Sequence, residues 1–156
     1  MNSLTQKEQM YLNEQKQQEE LCIKKYKQAA TQAEDPELQD LFNQLANQEQ
    51  QHLNTINQIL GGTIPQVNQQ PKPEDNKYYN RPNPGGMPKA SQKDIDLCID
   101  LLNTEKYVSS VYNTAIFEFN NHEIRNVLNH IQKEEQEHGE KIYNFLKSRN
   151  AYNAQA

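Results

Sequence analysis

Carboxylate and imidazole side chains recur in this sequence as two copies of one pattern, offset by 86 residues. In each copy a single glutamate precedes a Glu-x-x-His motif by 30 residues. The six residues of the two copies are Glu19, Glu49, His52, Glu105, Glu135 and His138. Four carboxylates and two imidazoles, in two matching sets, are the donors that a dinuclear metal site inside a four-helix bundle requires.

The spacing of apolar residues places all six side chains on the inner faces of predicted helices. Buried carboxylates without partners would each carry a desolvation penalty of several kcal/mol, and no Lys or Arg shares their level. Two divalent ions would balance the four negative charges and leave both histidines neutral. Oxygen and nitrogen donors suit iron or manganese, with zinc as a substitute, whereas the lack of sulfur donors argues against a structural zinc site.

Two tyrosines follow the single glutamates by seven residues and share their helix faces. Tyr26 and Tyr112 have two interpretations, which the sequence leaves open. They are ordinary core tyrosines that each satisfy one hydrogen bond, or their hydroxyls hold a ligand carboxylate of another helix. In the second case they belong to the catalytic centre.

Several other reactive side chains are placed outside the metal site. Glu20 is an alternative to Glu19, but the repeat favours Glu19 because Lys106 occupies the position equivalent to Glu20. Cys22, one turn from Glu19, is expected to pack in the core rather than to do redox work. The side chains expected on the solvated surface are Glu134, Glu137, Glu140, His122 and His130.

Capping signals predict where the four helices begin. Thr5 with Glu8, and Ser91 with Asp94, predict capping boxes before the first and third helices. An Asp cap followed by proline predicts the start of the second helix, and an Asn cap predicts the start of the fourth. These two caps are Asp35 and Asn121. The helices are expected to run to about Gln32, Leu60, Phe119 and Ser148.

Residues 61–90 contain six of the seven prolines and four of the five glycines, which predicts a linker. We expect a single domain, 1–156, in which two duplicated helical hairpins (1–60 and 91–149) flank this linker and a polar tail (150–156) follows. The linker is long enough to run beside a helix of about 38 Å. The sequence therefore predicts an all-α, ferritin-like four-helix bundle with a long crossover, in preference to an up-and-down bundle.

Composition excludes several classes of protein. The net charge is −5 and no basic stripe is present, which argues against nucleic acid as a partner. Scattered basic residues and the lack of an apolar run of about 20 residues argue against a membrane. Two cysteines cannot form a rubredoxin-type iron site. The first residues lack the features of a signal peptide, so synthesis in the cytoplasm is expected.

The motif residues resemble those of the ferritin and rubrerythrin superfamily. The residues that carry the resemblance are Glu19, Tyr26, EQQH at 49–52, Glu105, Tyr112 and EQEH at 135–138. It implies a di-iron or di-manganese centre that reacts with dioxygen or peroxide. The rubredoxin tail of rubrerythrins is missing, so another protein would have to donate electrons. The fifth helix of cage-forming ferritins is missing too, so a storage shell is not expected.

Other segments are similar to the spore coat F family of endospore-forming bacteria. They are LTQKEQMYL at 4–12, IKKY at 23–26, DPELQDLF at 35–42 and QHL at 51–53, with the linker pair Tyr78 and Tyr79. Membership implies synthesis in the mother-cell cytoplasm and deposition in the spore coat. It also implies association with other coat proteins or with further copies of the chain.

Three functions are consistent with these observations. The first is a peroxidase- or catalase-type oxidoreductase at the spore surface, which uses the dinuclear centre on peroxide or dioxygen. The second is a purely structural coat component, in which the metals only stabilise the bundle. The third is ferroxidase activity with iron storage, which would need a cage.

Overall fold

The computed structural model describes residues 3–67 and 88–151. Within these ranges the chain forms four α-helices and no β-strand. The helices are α1 (Gln6–Gln32), α2 (Pro36–Leu60), α3 (Gln92–Glu118) and α4 (His122–Ser148). Their bounds agree with the sequence predictions to within one residue, and the all-α fold class is confirmed.

Polar side chains at the helix starts accept hydrogen bonds from backbone N–H groups that have no partner inside the helix. The Thr5 hydroxyl accepts from the Glu8 N–H at 3.1 Å, and the Glu8 carboxylate accepts from the Thr5 N–H at 2.9 Å. This confirms the first capping box. Asp35 and Asn121 cap α2 and α4 as predicted, each through its side-chain oxygen.

The start of α3 differs from the prediction in one contact. The Ser91 hydroxyl accepts from the Asp94 N–H at 3.1 Å, as a cap should. The Asp94 carboxylate, however, accepts from the N–H groups of Glu34 at 2.8 Å and Asp35 at 3.0 Å. The second capping box is therefore wrong, because this carboxylate fastens α3 to the α1–α2 turn instead of closing its own helix.

Contacts between helices give the direction of each neighbour. The short turns pair α1 with α2 and α3 with α4 as two hairpins, as the sequence predicted. Helix α1 also packs against α3. Lys7 pairs with Glu118 near one end of these two helices, and Lys25 pairs with Asp100 toward the other end. Helices α1 and α3 are therefore antiparallel.

Helices α2 and α4 are antiparallel as well, since Glu37 contacts Arg149 while His52 contacts Glu134 farther along both helices. The start of α3 lies beside the α1–α2 turn. The end of α2 lies near the α3–α4 turn, where Gly62 and Asn121 line one cavity. The end of α2 and the start of α3 thus lie at opposite ends of the bundle, as a long crossover requires.

Apolar side chains pack inside the bundle in two clusters, one around Phe42 and one around Ile56. In α2, Leu45 belongs to the Phe42 cluster and Ile56 to the other, with Glu49 and His52 between them. Helix α4 has the same three regions in the opposite chain order, with Ile131 in the Ile56 cluster and Ile142 in the Phe42 cluster. The core therefore has an apolar region on each side of a polar central layer.

A buried arginine closes the end of the bundle near the α1–α2 turn. Arg149, directly after α4, forms ion pairs with Asp35 at 3.0 Å and Glu37 at 2.9 Å. Its guanidinium lies 4.9 Å from the centre of the Phe145 ring. The sequence analysis did not foresee this contact, which ties the end of α4 to the start of α2.

Parts of the predicted linker and tail lie outside the described residues, namely 68–87, with Tyr78 and Tyr79, and 152–156. At the described margins, Ile64 and Val67 pack against the Ile56 cluster and Ala90 packs against the Phe42 cluster. Among the helices of the described ranges, none has the length and apolarity needed to cross a membrane.

Candidate metal centre

All six predicted metal donors lie near the middle of their helices with their side chains inside the bundle. Each is at most 3% exposed. Glu19 comes from α1 and Glu105 from α3, while α2 and α4 each contribute one Glu-x-x-His pair. Glu and His at positions i and i+3 share one helix face, so both can reach the same centre.

The six side chains form two overlapping groups of four, and within each group the donor atoms lie within 4.8 Å of one another. The first group contains Glu19 and His52, and the second contains Glu105 and His138. Glu49 and Glu135 belong to both groups. The two groups are therefore two adjacent candidate metal positions that share two carboxylates.

Both imidazoles present Nδ1 to this cluster. His52 Nδ1 lies 2.8 Å from Glu135 and 3.3 Å from Glu49. His138 Nδ1 lies 2.7 Å from Glu49 and 3.5 Å from Glu135. The two rings are nearly parallel, with centroids 5.6 Å apart. Each shared glutamate thus points one oxygen at one imidazole and its other oxygen at the other.

The outer nitrogens of the imidazoles contact two residues that the sequence analysis missed. His138 Nε2 lies 2.6 Å from Gln48 Oε1, and His52 Nε2 lies 3.4 Å from Glu134 Oε1. Acceptors at Nε2 keep the proton on that nitrogen and leave Nδ1 free to bind metal. Gln48 and Glu134 occupy equivalent positions in the repeat, each directly before a motif glutamate. Their matching positions are the sequence feature from which both contacts could have been predicted.

The surface interpretation of Glu134 is wrong. Its side chain is buried because it lies between two histidines, His52 and His130, with His130 Nε2 at 3.0 Å. Glu137 is partly exposed, whereas Glu140 and His122 are exposed as predicted. His130 itself is only partly exposed.

Both tyrosine hydroxyls donate to glutamates of another helix. Tyr26 of α1 donates to Glu105 of α3 at 2.5 Å, and Tyr112 of α3 donates to Glu19 of α1 at 2.5 Å. All four groups are buried. These contacts agree with the interpretation in which each tyrosine holds a donor carboxylate and so sets its orientation.

Burial and mutual repulsion distribute protons unevenly in the cluster. Burial, followed by the charge of Glu135, raises the pKa of both Glu19 and Glu105. Burial acts against ionisation of Glu49 and Glu135 too, but hydrogen bonds with neighbouring glutamates and both histidines hold the pKa of each below its usual value. Burial opposes charging of the histidines, yet the surrounding carboxylates raise the pKa of His52 and His138.

Among the described residues, three buried carboxylate oxygens have no hydrogen-bond partner: Glu19 Oε2, Glu105 Oε2 and Glu135 Oε2. Buried oxygens of this kind are costly unless something binds them. Each belongs to a residue that was predicted to bind metal. Oxygen atoms available for coordination, together with two Nδ1 atoms, fit a pair of divalent transition-metal ions.

Gln15 is another buried residue of the described ranges with polar atoms that lack a hydrogen-bond partner. It is fully buried on the inner face of α1, and both of its polar atoms are without a hydrogen bond. It precedes Glu19 by one helical turn, whereas Leu101 occupies the equivalent position before Glu105. No sequence signal distinguishes Gln15, since glutamine is frequent throughout the chain.

Burial distinguishes Glu19 from Glu20 and describes Cys22. Glu20 is exposed, while Glu19 lies in the cluster, as the repeat indicated. Cys22 is a buried free cysteine. Burial, followed by the charge of Glu49, raises the pKa of its thiol, which stays protonated as expected for a packing residue.

Comparison with protein families gives one match, in the second hairpin. Residues 93–155 match the model of the Coat F domain. The match covers nearly all of α3 and all of α4, and so includes Glu105, Tyr112, Glu135 and His138. The first hairpin contributes the equivalent residues of the 86-residue repeat. Searches of curated proteins and of solved structures gave no match.

Proposed function

We propose that this protein is a spore coat component that holds a dinuclear iron or manganese centre in a ferritin-like bundle and acts on peroxide or dioxygen. The Coat F domain supports the coat assignment. The observation that carries the metal assignment is the pair of overlapping donor groups that share Glu49 and Glu135. Antiparallel neighbours, two Glu-x-x-His helices and two single-glutamate helices support the ferritin-like comparison.

The residues of the chain would perform three tasks in this centre. Glu49 and Glu135 would bridge the two positions, while Glu19 and Glu105 would each bind one ion. Gln48 and Glu134 would hold the imidazole rings with Nδ1 directed inward. Tyr26 and Tyr112 would hold the single glutamates by their hydrogen bonds. When bound, the two ions would supply open coordination positions and redox electrons for peroxide or dioxygen.

The donor set favours iron or manganese over a structural zinc site. All six donors are carboxylate oxygens or imidazole nitrogens, and no thiolate belongs to either group. Hard oxygen donors with imidazole suit iron and manganese, whereas structural zinc sites are built mainly with thiolates. Zinc remains a chemical substitute at the same residues.

A structural coat component is the second candidate, and the depth of the cluster favours it. The donors are at most 3% exposed, and both tyrosines are fully buried. Ions held this deeply would stabilise the bundle even without turnover. In that case the metals would serve assembly with other coat proteins or with further copies of this chain.

Metal content and peroxide turnover distinguish these candidates. The purified full chain would be analysed for iron, manganese and zinc, and then assayed for loss of hydrogen peroxide with and without an added reductant. The proposal expects two transition-metal ions per chain and metal-dependent peroxide loss. Two ions without turnover support the structural role, and a chain that binds neither iron nor manganese refutes the metal centre.

Localisation is tested separately from chemistry. In a spore-forming host, the tagged chain is expected in the extracted coat fraction of mature spores, as the Coat F domain suggests. Recovery only from the mother-cell lysate would contradict the coat assignment and would leave the metal proposal unaffected.

A further inference from the structure

The two halves of the cluster differ at the residue that contacts the outer nitrogen of each histidine. At His52 this residue is Glu134, a buried carboxylate 3.4 Å from Nε2. At His138 it is Gln48, a neutral amide whose oxygen lies 2.6 Å from Nε2. Because Gln48 and Glu134 are equivalent in the repeat, the difference is one of charge at matching positions.

A carboxylate beside the outer nitrogen makes an imidazole a stronger metal ligand than an amide does. The carboxylate accepts a hydrogen bond from the Nε2 proton and so raises the basicity of Nδ1. It also adds negative charge near the bound cation. The contact to Gln48 is shorter, but an amide carries no net charge. His130 also contacts Glu134, at 3.0 Å, and keeps this carboxylate oriented inside the bundle.

A second difference falls at the same metal position. Gln15 lies one turn before Glu19 on the inner face of α1, while the other half has the apolar Leu101 before Glu105. The amide of Gln15 has no partner on either polar atom. Both departures from the repeat therefore make the surroundings of the Glu19–His52 position more polar than those of the Glu105–His138 position.

We propose that the two metal positions are unequal, and that the Glu19–His52 position binds the first ion because Glu134 supports His52. This inference rests on the proposed metal centre. Glu134 is then a positioning residue that sets the order in which the ions bind. The neutral Gln48 gives less support to His138, so the Glu105–His138 position binds its ion more weakly. A protein with one ion per chain would hold that ion mainly at the first position.

The test loads the metal-free full chain with one equivalent of Mn²⁺ and measures the occupancy of each position by anomalous X-ray scattering. The wild type is compared with E134Q, Q48E and the double swap E134Q/Q48E. We expect the ion at the Glu19–His52 position in the wild type and nearly equal occupancy in each single variant. In the double swap the preference is expected to reverse.

A chelator competition assay in solution gives a second readout. E134Q is expected to lower the first binding constant by about 10–100-fold, and Q48E to raise the second. Equal occupancy in the wild type, or a preference that survives the double swap, would overturn the inference while two ions still bind. A wild-type chain that binds no metal would overturn both the inference and the proposed centre.

Discussion

The glutamates of the cluster are not equivalent in their contacts. Glu49 and Glu135 each direct their two oxygens at different imidazoles. Of these two histidines, Glu19 contacts only His52, at 3.9 Å, and Glu105 contacts only His138, at 3.3 Å. Loss of a shared glutamate should therefore affect both metal positions, whereas loss of a single glutamate should affect one.

Replacing Glu49 and Glu135 together by glutamine is expected to abolish binding of both ions, because an amide offers a weaker oxygen donor and no charge. The helices should persist, since removal of two buried charges offsets the lost coordination. Metal analysis and circular dichroism measure the two outcomes. The control E137Q, at a partly exposed residue of α4, should keep both ions. Full metal content in the double variant would contradict the shared role.

Gln15 allows a prediction about the metal-free protein. Q15L introduces the residue that the other half uses, and it removes two buried polar atoms without partners. The free energy of unfolding of this variant is expected to exceed that of the wild type by about 1–3 kcal/mol. Urea denaturation in the presence of a chelator measures the difference. The control is Q17L, a substitution at an exposed residue of the same helix, which should change the free energy of unfolding by less than about 0.5 kcal/mol. A destabilised Q15L would show that the amide has a stabilising contact.

At the scale of the helices, one end of the bundle is held by polar contacts between different elements. Asp94 joins α3 to the α1–α2 turn, and Arg149 joins the end of α4 to the start of α2. Asp94 is 1% exposed, so its hydrogen bonds are shielded from water. Such bonds between a carboxylate and backbone N–H groups are stronger than neutral ones.

D94A is expected to lower the free energy of unfolding by about 1–3 kcal/mol, because the N–H groups of Glu34 and Asp35 lose a buried acceptor. The helix-start bond from the Asp94 N–H to Ser91 remains, so α3 itself should still form. Thermal and urea unfolding measure the change. D96A, an exposed position on the same helix, is the matched control. Equal stability of D94A and D96A would contradict the role of Asp94 in holding α3 to the α1–α2 turn.

The helices and the clustering of the six side chains were predictable because their signals are local or repeated. Caps such as Thr5 and Asp35 act within one turn, and the 86-residue repeat singled out Glu19 from Glu20. Glu134, Asp94 and Arg149 were misread or missed. Their burial depends on groups from other helices, and a charged residue looks the same in sequence whether solvent or a distant partner satisfies it.

For the whole molecule, charge balance couples metal binding to protons. In the metal-free state the raised pKa values favour protonated Glu19 and Glu105 and charged histidines, and the lowered pKa values favour ionised Glu49 and Glu135. Two negative and two positive charges then cancel. With two divalent ions, four carboxylates cancel four positive charges and the histidines are neutral. Loading therefore displaces about four protons from the six ligands.

Metal affinity is accordingly expected to fall as the pH falls, since protons compete for the ligands. Titration calorimetry in buffers with different ionisation enthalpies measures the protons released, with about four expected at a pH where Glu19, Glu105 and both histidines carry their protons and Glu49 and Glu135 are ionised. Release of no protons on binding would contradict this protonation state. The double variant E49Q/E135Q is the control and should show no binding heat.

The stability of the metal-free protein should have the opposite trend. Glu19, Glu105, His52 and His138 all have a raised folded pKa, so their contribution is present at low pH and is lost as the pH rises through the folded values. The chelated protein should therefore melt at a lower temperature in alkaline than in neutral buffer. Excess Mn²⁺, at about 100 times its dissociation constant, should add roughly 2.7 kcal/mol to the free energy of unfolding for each ion bound. Equal melting curves with and without Mn²⁺ would contradict ion binding to the folded state.

Each proposed metal position would take ligands from both hairpins, so a lone hairpin, with two carboxylates and one imidazole, offers half of the candidate site. An ancestor with a single hairpin would have had to pair with an identical copy about a dyad, and every mutation in it would have appeared on both sides. Gene duplication and fusion remove that constraint. Only in a fused chain can Glu134 and Gln15 exist on one side while Gln48 and Leu101 occupy the other, a difference that a symmetric dimer of identical hairpins could not have.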